Sequence, residues 1–241
     1  MGWSERQIAM LREIGVRVWA PPVADAAAPE AAVDAPATPP PAALPASPVG
    51  TLAWPALRDA VAACTACNLC ETRRQTVFGV GNERAHWMIV GEAPGEQEDR
   101  QGEPFVGKSG QLLDNMLRAV SLTRGEAEPA QQVYIANTLK CRPPGNRNPL
   151  PDELVKCEAF LIRQVQLVQP RIILAMGAFA VQSLLRSTEP VGKLRGRVHR
   201  YQGVPLIVTY HPAYLLRNLV DKAKAWDDLC LAVETLQQAP H

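Results

Sequence analysis

The sequence predicts an α/β protein, a three-layer α/β/α sandwich around a central four-stranded parallel sheet. Four short runs rich in Ile, Val and Leu, at residues 87–90, 133–136, 171–176 and 205–210, lack polar alternation, so each reads as a strand buried on both faces. Helical patterns lie between them, and strands alternating with helices imply a parallel sheet covered on both sides.

In chain order, Ser4-x-x-Gln7 has capping-box form, and Ile8, Leu11, Ile14 and Val18 approximate one apolar face. Residues 1–20 therefore read as a short amphipathic segment suited to docking a protein partner, although so short a helix is barely stable alone. Residues 21–50 hold eleven alanines and nine prolines. Such a stretch cannot bury a core, and reads as a disordered Ala/Pro-rich linker. The folded domain is expected over 51–241, beginning near Leu52. Its first strand, 87–90, breaks at Gly91 into a loop with two further glycines before Phe105. Leu112, Leu113, Met116, Leu117 and Val120 mark the next helix. Leu154, Cys157, Leu161 and Val165 mark another, after the strand at 133–136. A helix over Ala178–Leu185 follows the third strand, and one over 223–236 closes the domain.

Composition narrows the class. With 241 residues, 47% apolar and 20% charged, the chain suits one large or two small globular domains. Net charge is +1, so an acidic partner would have to meet a local patch. Glu5, Arg6, Arg12 and Glu13 interrupt any secretory signal, and the apolar run at 172–181 is too short to span a bilayer. The expectation is a cytoplasmic monomer with no membrane partner. In a reducing compartment six unevenly spaced cysteines suggest metal or redox chemistry rather than disulfides.

Two constellations carry chemistry. Glu92, Asn137 and His211 end or follow three of the four runs, and parallel strands bring their carboxyl ends to one rim, where α/β proteins bind ligands. Cys64-x-x-Cys67 precedes the first strand, while Cys141 and Cys157 follow the second. Two such pairs can supply four thiolates to one centre, and spacing alone leaves zinc and an iron–sulfur cluster both open. Cys70 is a further candidate beside the first pair, and Cys230 reads as core.

GEAPGEQED from Gly91, PFVGKSGQLL from Pro104, ANTLKCRPPGNRNP from Ala136 and HPAYLLR from His211 resemble the signature segments of the family 4 uracil-DNA glycosylases. The similarity runs from about Cys64 to Leu236. It implies base-excision repair, in which uracil is flipped out of DNA and its N-glycosidic bond hydrolysed, and a 4Fe-4S cluster held by Cys64, Cys67, Cys141 and Cys157. It further implies that Phe105 stacks on uracil, Asn137 reads its amide edge, and His211 hydrogen-bonds the departing pyrimidine, with Ala93 and Glu98 along the pocket wall. Family 1 enzymes carry an aspartate where this chain has Ala93, which makes Glu92 the first candidate for assisting the attacking water and a backbone carbonyl the alternative. Lys193, Arg195, Arg197 and Arg200 form a basic run expected to meet phosphates, as are Lys140, Arg142 and Arg147. Tyr214, Leu215, Leu216 and Arg217 are expected to contact DNA, with an apolar wedge filling the vacated space. The competing readings are a non-catalytic iron–sulfur DNA-binding module and a glycosylase of altered base preference.

Overall fold

The computed structural model describes residues 48–238. The expected amphipathic segment and nearly all of the expected linker lie outside the described residues.

In chain order the elements are α1 (Trp54–Ala62), α2 (Leu69–Thr72), β1 (Val80–Gly81), β2 (Trp87–Gly91), α3 (Glu96–Gln101), α4 (Gly107–Ala119), β3 (Val133–Asn137), α5 (Pro151–Val168), β4 (Ile172–Met176), α6 (Ala178–Leu185), α7 (Val191–Leu194), β5 (Val198–Tyr201), β6 (Val204–Thr209), α8 (Pro212–Leu215) and α9 (Lys222–Gln238). The sheet order is β1-β3-β2-β4-β6-β5. Its four central strands are parallel, as the apolar runs predict. A short antiparallel strand is added at each edge, β1 on β3 and β5 on β6, so the sheet has six strands where four were expected.

β2, β3 and β4 are buried throughout, and β6 from Leu206 onward, because each face meets its own core. Met88 and Val90 of β2 pack with Leu161 and Val165 of α5, Val181 of α6 and Leu194 of α7. Trp87 and Ile89 pack on the other side with Leu113 and Leu117 of α4 and Leu229 and Ala232 of α9. That division is the period-two geometry of a strand, and it gives the three layers. Each fully buried Leu, Ile or Val contributes roughly 1.5–3 kcal/mol relative to exposure. A third apolar cluster lies apart from these two and joins Leu57 and Val61 of α1 to Leu139, Cys141, Cys157 and Phe160.

Two helices fall outside the helical patterns named above. EQEDRQ forms α3 through its ends: the Glu98 carboxylate accepts from the Gly95 N–H, and Gly102 closes the helix in the left-handed region at φ 79°. WPALRDAVA forms α1 with proline in the first turn, where a missing N–H costs nothing.

Candidate functional site

The parallel register sets Gly91 opposite Asn137. Past that point the two loops stay zipped: Thr138 N–H donates to Gly91 O at 3.0 Å, Leu139 N–H to Glu92 O at 3.0 Å, and Thr138 Oγ1 to Glu92 O at 2.5 Å. On the other side of β2, Gly177 N–H donates to Thr209 O at 3.0 Å. All four parallel strands thus deliver their carboxyl ends to one cleft of about 1140 Å³, whose lining includes Glu92, Ala93, Glu98, Asn137, Gly177 and His211. Gly177 was missed in the sequence because glycine after a strand reads as a turn. Its φ is 93°, and a Cβ there would stand 3.0 Å from His211 Cβ, so glycine admits the histidine loop.

Asn137 is 2% exposed, and its buried Nδ2 has no hydrogen-bond partner. A buried amide donor left unmade costs about 1–3 kcal/mol, so the group is poised for an acceptor arriving through the cleft. Gly91 makes room for it: a Cβ there would lie 2.4 Å from Asn137 Oδ1 and 2.6 Å from the Phe105 ring.

Phe105 does not line the open cleft. It is 2% exposed, with its ring stacked on the His211 imidazole at 5.2 Å and 26°. Its backbone sits at φ 54°, unusual for phenylalanine. Two features hold it there. The Glu98 carboxylate accepts from the Phe105 N–H, and Gly110 of α4 passes so close that a Cβ would stand 1.7 Å from Phe105 O. Glu98, expected as a pocket wall, does line the cleft, but its two oxygens bind backbone N–H groups at Gly95 and Phe105. Its observed work is to shape the loop.

His211 begins α8, and its Nδ1 accepts from the Ala213 N–H at 3.1 Å. The proton of the neutral ring is therefore on Nε2. Burial, reinforced by Arg217, pushes its pKa down from 6.5 to about 4, so the ring is neutral at physiological pH. Across the cleft, burial raises the Glu92 pKa from 4.5 to about 7. A neutral donor and a carboxyl poised near neutrality share one site, an arrangement characteristic of catalytic centres.

The four expected cysteines line a second, small cavity together with Arg73, Lys140 and Lys156. Cys70 does not line it, and Cys230 is only partly buried. Among the described residues no group of three or more His, Cys, Asp or Glu is placed to hold a metal ion. Donors already face two of the sulfurs: Arg73 donates to Cys141 Sγ at 3.0 Å and Lys140 N–H to Cys157 Sγ at 3.3 Å. Burial pushes the Cys157 thiol up to about 12 and raises that of Cys141. Such buried thiols give up their protons only to a strong positive centre.

Several expected DNA contacts need correction. Leu215 is 1% exposed and belongs to the interior; the apolar side chains presented nearby are Leu216, Leu219 and Val220, at 39%, 64% and 87%. Tyr214 lines the cleft, stacked on Tyr210 at 4.9 Å, with its hydroxyl donated to Asp221 at 2.7 Å. The basic run is divided. Arg195 turns inward to fully buried Asp228 at 2.9 Å, whereas Lys193, Arg197 and Arg200 are exposed. Lys140, expected at the surface, is 1% exposed. Arg142 and Arg147 engage Asn146 and Glu153. Lys108 and Arg217 line the cleft, and Lys108 was missed because it stands alone, outside any basic run.

The family model described as the uracil DNA glycosylase superfamily matches residues 78–230. A type-4 uracil-DNA glycosylase of Archaeoglobus fulgidus is 41% identical over 164 residues, covering 65% of this chain and 79% of the relative. One of Saccharolobus solfataricus is 36% identical over 193 residues, 76% of this chain and 87% of the relative. A type-5 uracil-DNA glycosylase of Pyrobaculum aerophilum is 30% identical over 152 residues, 57% and 66%. The matched region contains the whole strand-end cleft and two of the four cavity cysteines, and on these likenesses the chain belongs to the uracil DNA glycosylase superfamily, alongside its type-4 members.

Proposed function

We propose that this protein removes uracil from DNA by hydrolysing its N-glycosidic bond. The observation that carries this reading is the buried Asn137 amide with its unpartnered Nδ2, in the same cleft as a neutral His211 donor. A stacked base is unreachable, so uracil must be flipped into the cleft at a cost of a few kcal/mol. Stacking on Phe105 would recover about 1–3 kcal/mol. Reaching the ring requires the base to enter where Phe105 and His211 now meet. The Asn137 amide, one donor and one acceptor group, matches a carbonyl beside an N–H, and cytosine would leave polar atoms unpaired. As the bond breaks, negative charge develops on the pyrimidine, and the Nε2–H of His211 is the donor aimed at it. Glu92, as carboxylate, would orient the attacking water. Lys108, Arg217 and the exposed Lys193, Arg197 and Arg200 supply cations for phosphates, and Leu216 is the exposed candidate for the wedge. A labelled oligonucleotide carrying one uracil, scored as alkali-labile abasic sites against thymine and cytosine controls, tests the proposal. Cleavage at uracil alone supports it, and no cleavage by folded protein rejects it.

Glu92 predicts a pH signature. With its pKa near 7, the required carboxylate is lost as pH falls, so the single-turnover rate should climb through pH 7 and level off above it. Glu92→Gln should lower the plateau and flatten the rise. An unchanged profile in this variant would assign the water to another group.

Cys64, Cys67, Cys141 and Cys157 would hold a 4Fe-4S cluster, and the N–H donors at Cys141 and Cys157 suit sulfurs carrying negative charge. Bound there, it would supply a covalent staple between the α1–α2 segment and the loop after β3. Cys141→Ser should lower iron content, bleach visible absorption and reduce the melting temperature. Unchanged iron would remove Cys141 from the ligand set. Among the described residues no helix is long and apolar enough to cross a membrane, and the proposed location is the cytoplasm.

A further inference from the structure

Lys140 lines the cysteine cavity and bonds the backbone of Asn137, a residue of the strand-end cleft. Its side chain is fully enclosed, at 1% exposure. An enclosed ammonium is costly unless its donors are satisfied and opposite charge is near. Its Nζ donates to the backbone carbonyl of Asn137 at 2.8 Å and to Gln164 Oε1 at 2.6 Å. Its own N–H donates to Cys157 Sγ at 3.3 Å, and the residue lines the cysteine cavity. Gln164 is fixed in turn, donating to Phe78 O at 2.9 Å and Tyr134 Oη at 3.1 Å.

Asn137 is the last residue of β3. The direction in which its amide points depends on what holds the backbone there, where the strand gives way to a loop. One side is held by the Gly91–Thr138 bond. The other is held by a charge-assisted bond from Lys140, stronger than a neutral one.

We propose that Lys140 is a positioning residue that couples the cysteine-lined cavity to base recognition, holding the Asn137 carbonyl with its ammonium while Cys157 Sγ holds its N–H. The proposal rests on the reading of Asn137 as the group that recognises uracil. It requires a buried cation rather than a buried apolar chain at this position, because methionine fills the same space without the bond.

The test is direct binding of free uracil, followed by calorimetry on the full-length, iron-bearing protein, which requires no turnover. Lys140→Met should weaken uracil binding about tenfold or more, as expected for a misdirected hydrogen bond to a charged or amide group. Iron content, visible absorption and affinity for uracil-free DNA should change less than about twofold. Gln164→Leu is the comparison, because it disrupts the same buried network but spares the Asn137 contact; it should weaken uracil binding no more than about threefold. Unchanged binding in Lys140→Met, or an equal loss in Gln164→Leu, overturns the proposal. Where Lys140→Met does not yield folded, iron-bearing protein, Lys140→Gln is judged by the same criteria. Wild-type protein that neither binds uracil nor excises it rejects the functional reading itself, an outcome distinct from wild-type binding that Lys140→Met leaves intact.

Discussion

Replacing His211 with alanine should lower the single-turnover rate of uracil excision about 100- to 1,000-fold, the range for removing one preorganised donor from a developing anion. DNA affinity should change little, because the donor gains most of its value as charge appears on the pyrimidine. The geometry defines its protonation. Nδ1 is occupied as acceptor of the Ala213 N–H, and burial holds the ring neutral down to about pH 4. No histidine titration should therefore appear in the rate between pH 5 and 8, where the movement belongs to Glu92. Stability should respond in the opposite region. The unfolded histidine takes up a proton near 6.5 and the folded one only near 4, so the native state loses stability as pH falls across that interval, and His211→Ala should remove this part of the acid dependence. Equal losses of rate and DNA affinity would contradict the leaving-group role.

How much of this was legible in the sequence follows from what each residue's partners are. The central strands could be read because burial on both faces makes WMIV, VYIA and IILAM continuous apolar runs. The edge strands could not. β1 is two residues long, and Val198–Tyr201 is mostly wet, so its Arg200 read as part of a phosphate-binding basic run. EQEDRQ has no apolar period at all, and its helix is fixed by Glu98 and Gly102. The rim of Glu92, Asn137 and His211 followed from topology alone, since parallel strands share an end. What stayed hidden were the long-range partners of cations. Arg195 finds Asp228 33 residues away and Lys140 finds Gln164 24 residues away, and no local pattern distinguishes such cations from ones that meet phosphate. Leu215 was misplaced for a related reason: in a four-residue helix beside the cleft, neighbouring Leu215 and Leu216 look alike in sequence, yet only one faces solvent.

Asn137→Asp should cost the most in specificity. The substitution keeps the size of the side chain but replaces the unpartnered Nδ2 donor by an acceptor. Against uracil this removes the bond to a ring carbonyl, sets two oxygens face to face, and places a carboxylate near the negative charge that forms on the departing base. A site built to hydrogen-bond a substrate group can discriminate by about 10⁴–10⁵ when the match is lost, and uracil excision should fall about 1,000-fold or more. Cytosine presents an amino donor where uracil has a carbonyl, so its rate relative to uracil should rise even as total activity falls. Folding should survive, because Gly91 already provides the space and the Lys140 bond is made to the backbone of residue 137, not to its side chain. Parallel single-turnover assays on uracil- and cytosine-containing strands decide the matter. Uracil excision within about tenfold of wild type would show that the amide does not read the base, and recognition would then have to come from shape and stacking at Phe105. A collapse of uracil cleavage with a raised cytosine-to-uracil ratio would assign base choice to this one side chain at the end of β3.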